Sequence, residues 1–197
     1  MGRRGQHEMS LLVEAARLFR RKGYAATGTN EILAAAGAPR GSFYHYFPDG
    51  KEELGAKAIE AAAKRVTLTI RDLATSAVDA EDFARRYIES RIGFMARAGF
   101  AEGCPITTTL LETVPGSARI TVAGRTALSF WTAEIARMLE RFGWTADAAG
   151  RTARFILMAS GGAQVHARVE GHAGPLHDCA DELCRLLRSG PPANERH

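Results

Sequence analysis

The stretch Gly37-Ala38-Pro39-Arg40-Gly41-Ser42-Phe43-Tyr44-His45-Tyr46-Phe47 decides how this chain is read. Proline fixes its own backbone and disfavours helix in Ala38, yet it suits a first helical turn, so a helix can begin at Pro39. Phe43 and Phe47 lie four residues apart and can bury together. That leaves the polar tips of Arg40, Ser42, Tyr44 and His45 available to solvent or phosphate. A purely structural helix has no need of them. Glycine at position 41 costs about 1 kcal/mol of helix propensity against alanine, which makes sense where a backbone must approach another surface closely. Pro48-Asp49-Gly50 then ends the helix.

Working outward, Met9, Leu12, Ala16 and Phe19 form one stripe at helical spacing, with Arg17, Arg20, Arg21 and Lys22 in the last turns, where cations suit the helix dipole. Gly23 stops this helix. A second, short helix runs from Asn30 to Ala36, with Thr27 or Thr29 placed to cap it and Gly37 to end it. Two short helices joined by a glycine turn and braced by a longer one describe a helix-turn-helix. Charge points the same way. Residues 1–47 hold seven Arg and Lys against three Glu, and this excess accounts for the whole formal net charge of +4. Such asymmetry suits an end of the chain that meets a polyanion.

Beyond Lys51-Glu52-Glu53-Leu54 a long helix runs to about Ala77, and the remainder is helical. Its apolar stripes are Phe83/Tyr87/Ile88/Ile92/Met95, Ile106/Leu110/Leu111, Leu128/Trp131/Ile135/Leu139, Phe155/Met158/Gly162/Val165 and Leu176/Ala180/Leu183/Leu187. Breaks fall at Ala98-Gly99, Pro115-Gly116, Phe142-Gly143 and Gly171 to Pro175. A chain of 197 residues with 46% hydrophobic and 24% charged residues is long enough to bury a core without staples. No apolar run reaches a membrane span and no secretory signal opens the chain, which sets the expectation of a cytoplasmic protein without a membrane partner. Cys104, Cys179 and Cys184 lack framework spacing and read as reduced thiols. His166, His172, His177 and Cys179 offer no pair three or four apart, so no metal is expected. With no phosphate loop, nucleophile elbow or HExxH motif, neither enzyme activity nor a cofactor is expected.

The first 55 residues resemble the TetR family of bacterial transcriptional regulators. The residues that carry the resemblance are Ala15-Ala16, Leu18-Phe19, Gly23-Tyr24, Thr27, Ile32, Ala36-Gly37, Gly41 through Phe47, and Lys51-Glu52-Glu53-Leu54. The variants at Gly37 to Ser42 and Phe47 to Glu52, together with Gly103-Cys104-Pro105, resemble the LmrA- and YxaF-like branch, which includes repressors of drug-efflux genes. Two positions depart from the pattern. Pro39 stands where Ser or Thr usually caps the recognition helix, and Phe43 where leucine is usual.

The resemblance implies an all-α fold, with a three-helix helix-turn-helix domain over 1–50, a helical ligand-binding and dimerisation domain over 51–190 and a flexible tail over 191–197. It implies a homodimer that binds a palindromic double-stranded DNA operator. Arg40 would read a guanine edge or hold a phosphate. Gly41 would let the backbone approach the groove. Ser42 would reach a base or phosphate, or bond within its own helix. Tyr44 and His45 would clamp phosphates and set register. Thr27 would cap a helix and meet phosphate, and Lys51 would add an ammonium to the anion-favouring start of its helix.

For the C-terminal helices, Phe94, Met95, Phe100, Cys104, Phe130, Trp131, Phe155 and Met158 read either as ordinary core or as the lining around a small apolar or aromatic effector. The last two long helices, carrying Gly161-Gly162-Ala163 and Leu183, Leu186 and Leu187, are the expected two-fold interface. Two other readings stay open: a small-molecule-binding helical bundle whose DNA-binding motif is no longer used, and a basic protein of membrane surfaces.

Overall fold

The computed structural model describes residues 3–190, with the side chains of residues 7–39 and 41–190. The expected tail over 191–197 lies outside the described residues. Within them the fold is all-α and contains no strand. The helices are α1 (Arg3–Lys22), α2 (Thr29–Ala35), a 3-10 turn (Arg40–Ser42) leading into α3 (Phe43–Tyr46), α4 (Gly50–Ser76), α5 (Ala80–Ala96), α6 (Pro105–Thr113), α7 (Ala118–Arg141), α8 (Ala146–Glu170) and α9 (Gly174–Arg188).

The chain forms two compact units, each built from two stretches of the sequence. Residues 1–65 and 104–127 make the first unit, and residues 66–103 and 128–197 the second. Periodicity along a helix cannot reveal that α6 packs on α1.

The core of the first unit gathers Leu11, Leu12, Ala15, Leu18 and Phe19 of α1, Ile32 and Leu33 of α2, Phe43 and Phe47, and Leu54 and Ala58 of α4. This corrects the expected face of α1: Leu12 and Phe19 are buried, but Met9 is exposed and Ala16 only half-buried, while Leu11, Ala15 and Leu18 point inward. A stripe that includes neighbours such as Leu11 and Leu12 is wider than an i, i+3, i+4 reading finds. Gly23 ends α1 with φ +93°, a conformation that side chains with a Cβ rarely adopt. At the end of α2, Ala38 N–H donates to the Leu33 carbonyl and Gly37 N–H to that of Ala34, with Gly37 at φ +62°. This is a Schellman closure, and it turns the chain toward Pro39.

Helix α6 holds the turn between α1 and α2 in place. The Glu112 carboxylate accepts hydrogen bonds from the backbone N–H groups of Tyr24 (3.1 Å) and Ala25 (2.6 Å). A Cβ at Gly23 would meet that carboxylate and push it from its place beside the two amides, although the backbone angle is what calls for glycine there. At the start of α4, Asp49 pairs with Arg119 at 2.7 Å and Glu52 accepts from the Ser117 hydroxyl.

In the second unit, Asp79 caps α5 by accepting from Asp82 N–H at 2.7 Å, and Thr145 caps α8. Arg188 of α9 pairs with Glu81 of α5 through two hydrogen bonds of 2.9 and 2.7 Å, and Trp131 Nε1 donates to Thr67 Oγ1 at 3.1 Å. Glu134, buried in α7, receives Arg71 and Arg137, each at 2.6 Å, and the two guanidiniums hold its carboxyl below the usual carboxylate range. Arg141 donates to the Ala74 carbonyl at the end of α4, a favourable place for a cation.

Two measurements check this packing. Phe47→Ala should destabilise the first unit by about 3–5 kcal/mol in urea unfolding followed by far-ultraviolet circular dichroism; a loss below about 1 kcal/mol would contradict its place in the core. Glu112→Ala should raise amide hydrogen exchange at Tyr24 and Ala25 by about 10-fold or more, as expected when charge-assisted hydrogen bonds are lost. Unchanged exchange at both would show that the carboxylate does not hold the turn.

Candidate nucleic-acid interface

The recognition segment is short and divided. Arg40–Ser42 forms one 3-10 turn and Phe43–Tyr46 one turn of α-helix, where the sequence suggests a single helix through Phe47. Phe47 is the C-cap. The tight first turn reflects Pro39, which is extended at φ −60°, ψ 139° and lacks a side chain able to cap. Ser42 bonds within the turn: its hydroxyl donates to the Pro39 carbonyl at 2.7 Å, and its N–H to the same oxygen at 2.9 Å.

Phe43 and Phe47 are buried with ring centroids 5.6 Å apart. Their burial sets the direction of the residues between them. Tyr44 is 70% exposed, and His45 is also exposed. The Tyr44 ring sits edge-on to Phe43 at 5.4 Å, so it is splinted at its base while its hydroxyl faces outward. Tyr46 is half-buried and packs against the core, with the His45 ring edge-on at 5.3 Å. Gly41 is exposed, with nothing within 4 Å of where a Cβ would stand. The Arg40 side chain lies outside the described residues, although its backbone opens the 3-10 turn.

Thr27 plays a different part from the expected one. It is fully buried, and its hydroxyl donates to the Gly23 carbonyl at 2.7 Å. Neither Thr27 nor Thr29 caps α2: the N-cap is Gly28, extended at φ −82°, ψ 149°, with no side-chain capping bond. Thr27 stands one residue too early and Thr29 is already helical. Lys51 is half-buried at the start of α4; its Nζ lies 3.4 Å from the Ala25 carbonyl and 4.3 Å from the Tyr24 ring centroid. Burial lowers the pKa of Lys51 and Glu112 opposes that shift. The ammonium is therefore held against the α1–α2 turn.

The eight residues proposed around an effector are drawn from both units and differ in exposure. Cys104 is the N-cap of α6 and belongs to the first unit; the other seven belong to the second. Met95 and Trp131 are buried, and Phe94, Phe100 and Cys104 are half-buried. Phe130, Phe155 and Met158 are exposed, at 59%, 49% and 67%. Phe155 and Met158 continue into Gly162, Val165 and Val169 as one outward stripe of α8. On α9, Leu183 and Leu187 are buried within the chain, and Leu186 is exposed. Sequence reasoning missed Glu112, whose partners lie far away along the chain, and Arg119, whose pairing with Asp49 no local pattern announces.

Among the described residues no group of three His, Cys, Asp or Glu side chains could hold a metal, and no helix is long and apolar enough to cross a membrane.

The family model described as "Bacterial regulatory proteins, tetR family" matches residues 11–58, and that described as "Transcriptional regulator LmrA/YxaF-like, C-terminal domain" matches residues 80–182. The transcriptional regulator YxaF of Bacillus subtilis is 31% identical over 188 residues, covering 95% of this chain and 98% of its own. LmrA of the same organism is 26% identical over 92% of this chain and 98% of its own. Among solved structures, the regulatory protein TetR from Rhodobacter sphaeroides superposes with a TM-score of 0.77 at 28% identity, over 90% of this chain and 96% of that one. These relatives are regulators, not enzymes, and regulators of this type bind DNA and act as dimers. The chain belongs to the TetR family of bacterial transcriptional regulators, and its C-terminal region to the LmrA/YxaF-like group.

Proposed function

We propose that this regulator is a cytoplasmic repressor that binds a palindromic operator as a homodimer and is released by a small apolar or aromatic effector, controlling an efflux or detoxification gene. The observation that carries the DNA-binding part is the outward pair Tyr44 and His45, set between two buried phenylalanines in the segment matched by the family's N-terminal region. Arg40 is the base reader, Gly41 lets the backbone approach, and Tyr44, His45 and Lys51 hold phosphates. Ser42 contributes through its remaining lone pairs. Thr27 acts from behind by supporting the turn against which Lys51 rests.

Two recognition segments in a dimer would enter successive major grooves roughly 34–36 Å apart. The outward stripe Phe155, Met158, Gly162, Val165 and Val169, with Leu186, supports a subunit interface through α8 and α9. On this reading Phe155 and Met158 serve the partner subunit, and Met95, Trp131, Phe94 and Phe100 remain beside the effector. Helix α4 runs unbroken from Gly50 to Ser76 through residues of both units, which suits it to carry the effector's influence to Lys51. A coupling of about 1–3 kcal/mol is sufficient to change operator occupancy many-fold.

A gel shift over a salt series tests the division of labour, using DNA from upstream of the protein's own gene against unrelated duplex. Arg40→Ala should cost about 1–3 kcal/mol of discrimination, whereas Lys51→Ala should weaken both DNAs alike and flatten the salt slope by about one. Equal effects of both variants on both DNAs would refute it. Val165→Asp should convert a dimer to a monomer in light scattering after size exclusion; a dimer that persists unchanged would place the interface elsewhere.

A further inference from the structure

The Lys51 side chain reaches across to the α1–α2 turn. Its ammonium lies 4.3 Å from the centroid of the Tyr24 ring and 3.4 Å from the Ala25 carbonyl oxygen, so two consecutive residues form its seat. Glu112 holds the same two residues: its Oε1 accepts from Tyr24 N–H at 3.1 Å and its Oε2 from Ala25 N–H at 2.6 Å. One oxygen for each amide fixes the orientation of both peptide planes, which a single contact would not do.

The turn's own hydrogen bonds act on other groups. The Thr27 hydroxyl donates to the Gly23 carbonyl at 2.7 Å, and Thr27 N–H to the Tyr24 carbonyl at 3.2 Å. These bonds tie carbonyls, whereas Glu112 ties N–H groups. Packing completes the seat. The Tyr24 ring leans on Phe19 with centroids 5.1 Å apart, and a Cβ at Gly55, one turn after Lys51 on α4, would come within 2.9 Å of Tyr24 Cε2. Glu112, Tyr24, Ala25 and Lys51 all belong to the first unit. Burial works against the charged form of Lys51, the Glu112 carboxylate favours it and the Lys22 ammonium opposes it. Lysine carries its charge on a flexible four-carbon stem, so ordering it before DNA arrives removes part of the entropy cost of gripping a phosphate.

We propose that Glu112 is a positioning residue for DNA binding: through Tyr24 and Ala25 it holds the Lys51 ammonium where a backbone phosphate takes it up. This rests on the phosphate-holding role given to Lys51 above. A phosphate repels a carboxylate, so Glu112 acts from behind the turn and not on the DNA. Helix α6, outside the helix-turn-helix, thereby contributes to affinity without contributing to sequence choice.

The test combines DNA binding with a signal from the free protein, in wild type, Lys51→Ala, Glu112→Ala and the double variant. In gel shifts over a salt series, Glu112→Ala should bind both the upstream duplex and an unrelated one about 5-fold or more weakly, with a salt slope smaller by up to about one. The double variant should match Lys51→Ala within about 2-fold, because Glu112 then has nothing to position. In the free protein, lysine-selective 13C labelling gives ε-methylene signals from Lys22, Lys51, Lys57 and Lys64, the chain's four lysines. The Lys51 signal, over the Tyr24 ring, should lie upfield in wild type and move toward the unshifted value in Glu112→Ala. Lys57, 5.3 Å from the Phe47 centroid, should stay in place. Glu112→Gln keeps the side-chain volume and one acceptor oxygen, so it should give the same changes in smaller measure and serves if the alanine variant does not fold. An unmoved Lys51 signal, Lys51 and Lys57 moving together, additive losses in the double variant, or DNA binding by Glu112→Ala as tight as wild type would each overturn the positioning. A wild type that binds neither duplex, or a Lys51→Ala that binds as wild type does, would instead remove the reading beneath it.

Discussion

The burial of Phe43 and Phe47 is the constraint on which the DNA-facing surface depends. Seven residues from Arg40 to Tyr46 are too few to hold a helix on their own, because nucleation is costly and one or two turns return few hydrogen bonds. What orders this segment is the core assembled by α1, α2 and α4, into which both rings insert. Since side chains one and two positions apart on a helix point different ways, fixing Phe43 and Phe47 inward leaves Tyr44 and His45 outward. The outward residues are arranged by apolar packing behind them and need no contacts of their own.

A second layer of order comes from α6 and the beginning of α7. Glu112 binds two consecutive backbone amides of the α1–α2 turn, and Arg119 and Ser117 meet Asp49 and Glu52 at the start of α4. The same turn supports Lys51 and is backed by the buried Thr27. Displacement of α6 would therefore be felt at both ends of the segment that precedes and follows the recognition turn. Elements of the first unit that are remote in sequence thus help to set the geometry of the DNA-facing surface.

Much of this could be read from residue order, for identifiable reasons. The helix ends at Gly23 and Gly37, the turn at Ala38-Pro39 and the inward pairing of Phe43 with Phe47 all follow from interactions within a few residues. Other features depend on distant chain. The inward face of α1 is broader than its spacing suggests, since α2, α3 and α4 cover it from several sides. Thr27 looks like a cap in sequence, but the extended Gly28 takes that place and the hydroxyl turns back to Gly23. Glu112 resembles any exposed helical glutamate until α6 is folded onto α1. Aromatic character alone also failed to separate inward from outward positions in the second unit: Trp131 is buried, and Phe130 is exposed one residue earlier.

The central claim is that the segment from Gly37 to Gly50 meets double-stranded DNA with the side opposite Phe43 and Phe47. Hydrogen–deuterium exchange of the intact protein, compared with and without a duplex from upstream of its own gene, measures this directly. The account predicts that protection on DNA binding centres on Gly41 to Tyr46 and extends to the amides at the start of α4. Slowed exchange confined to the second unit, with residues 37–50 unchanged while DNA is bound, would contradict it.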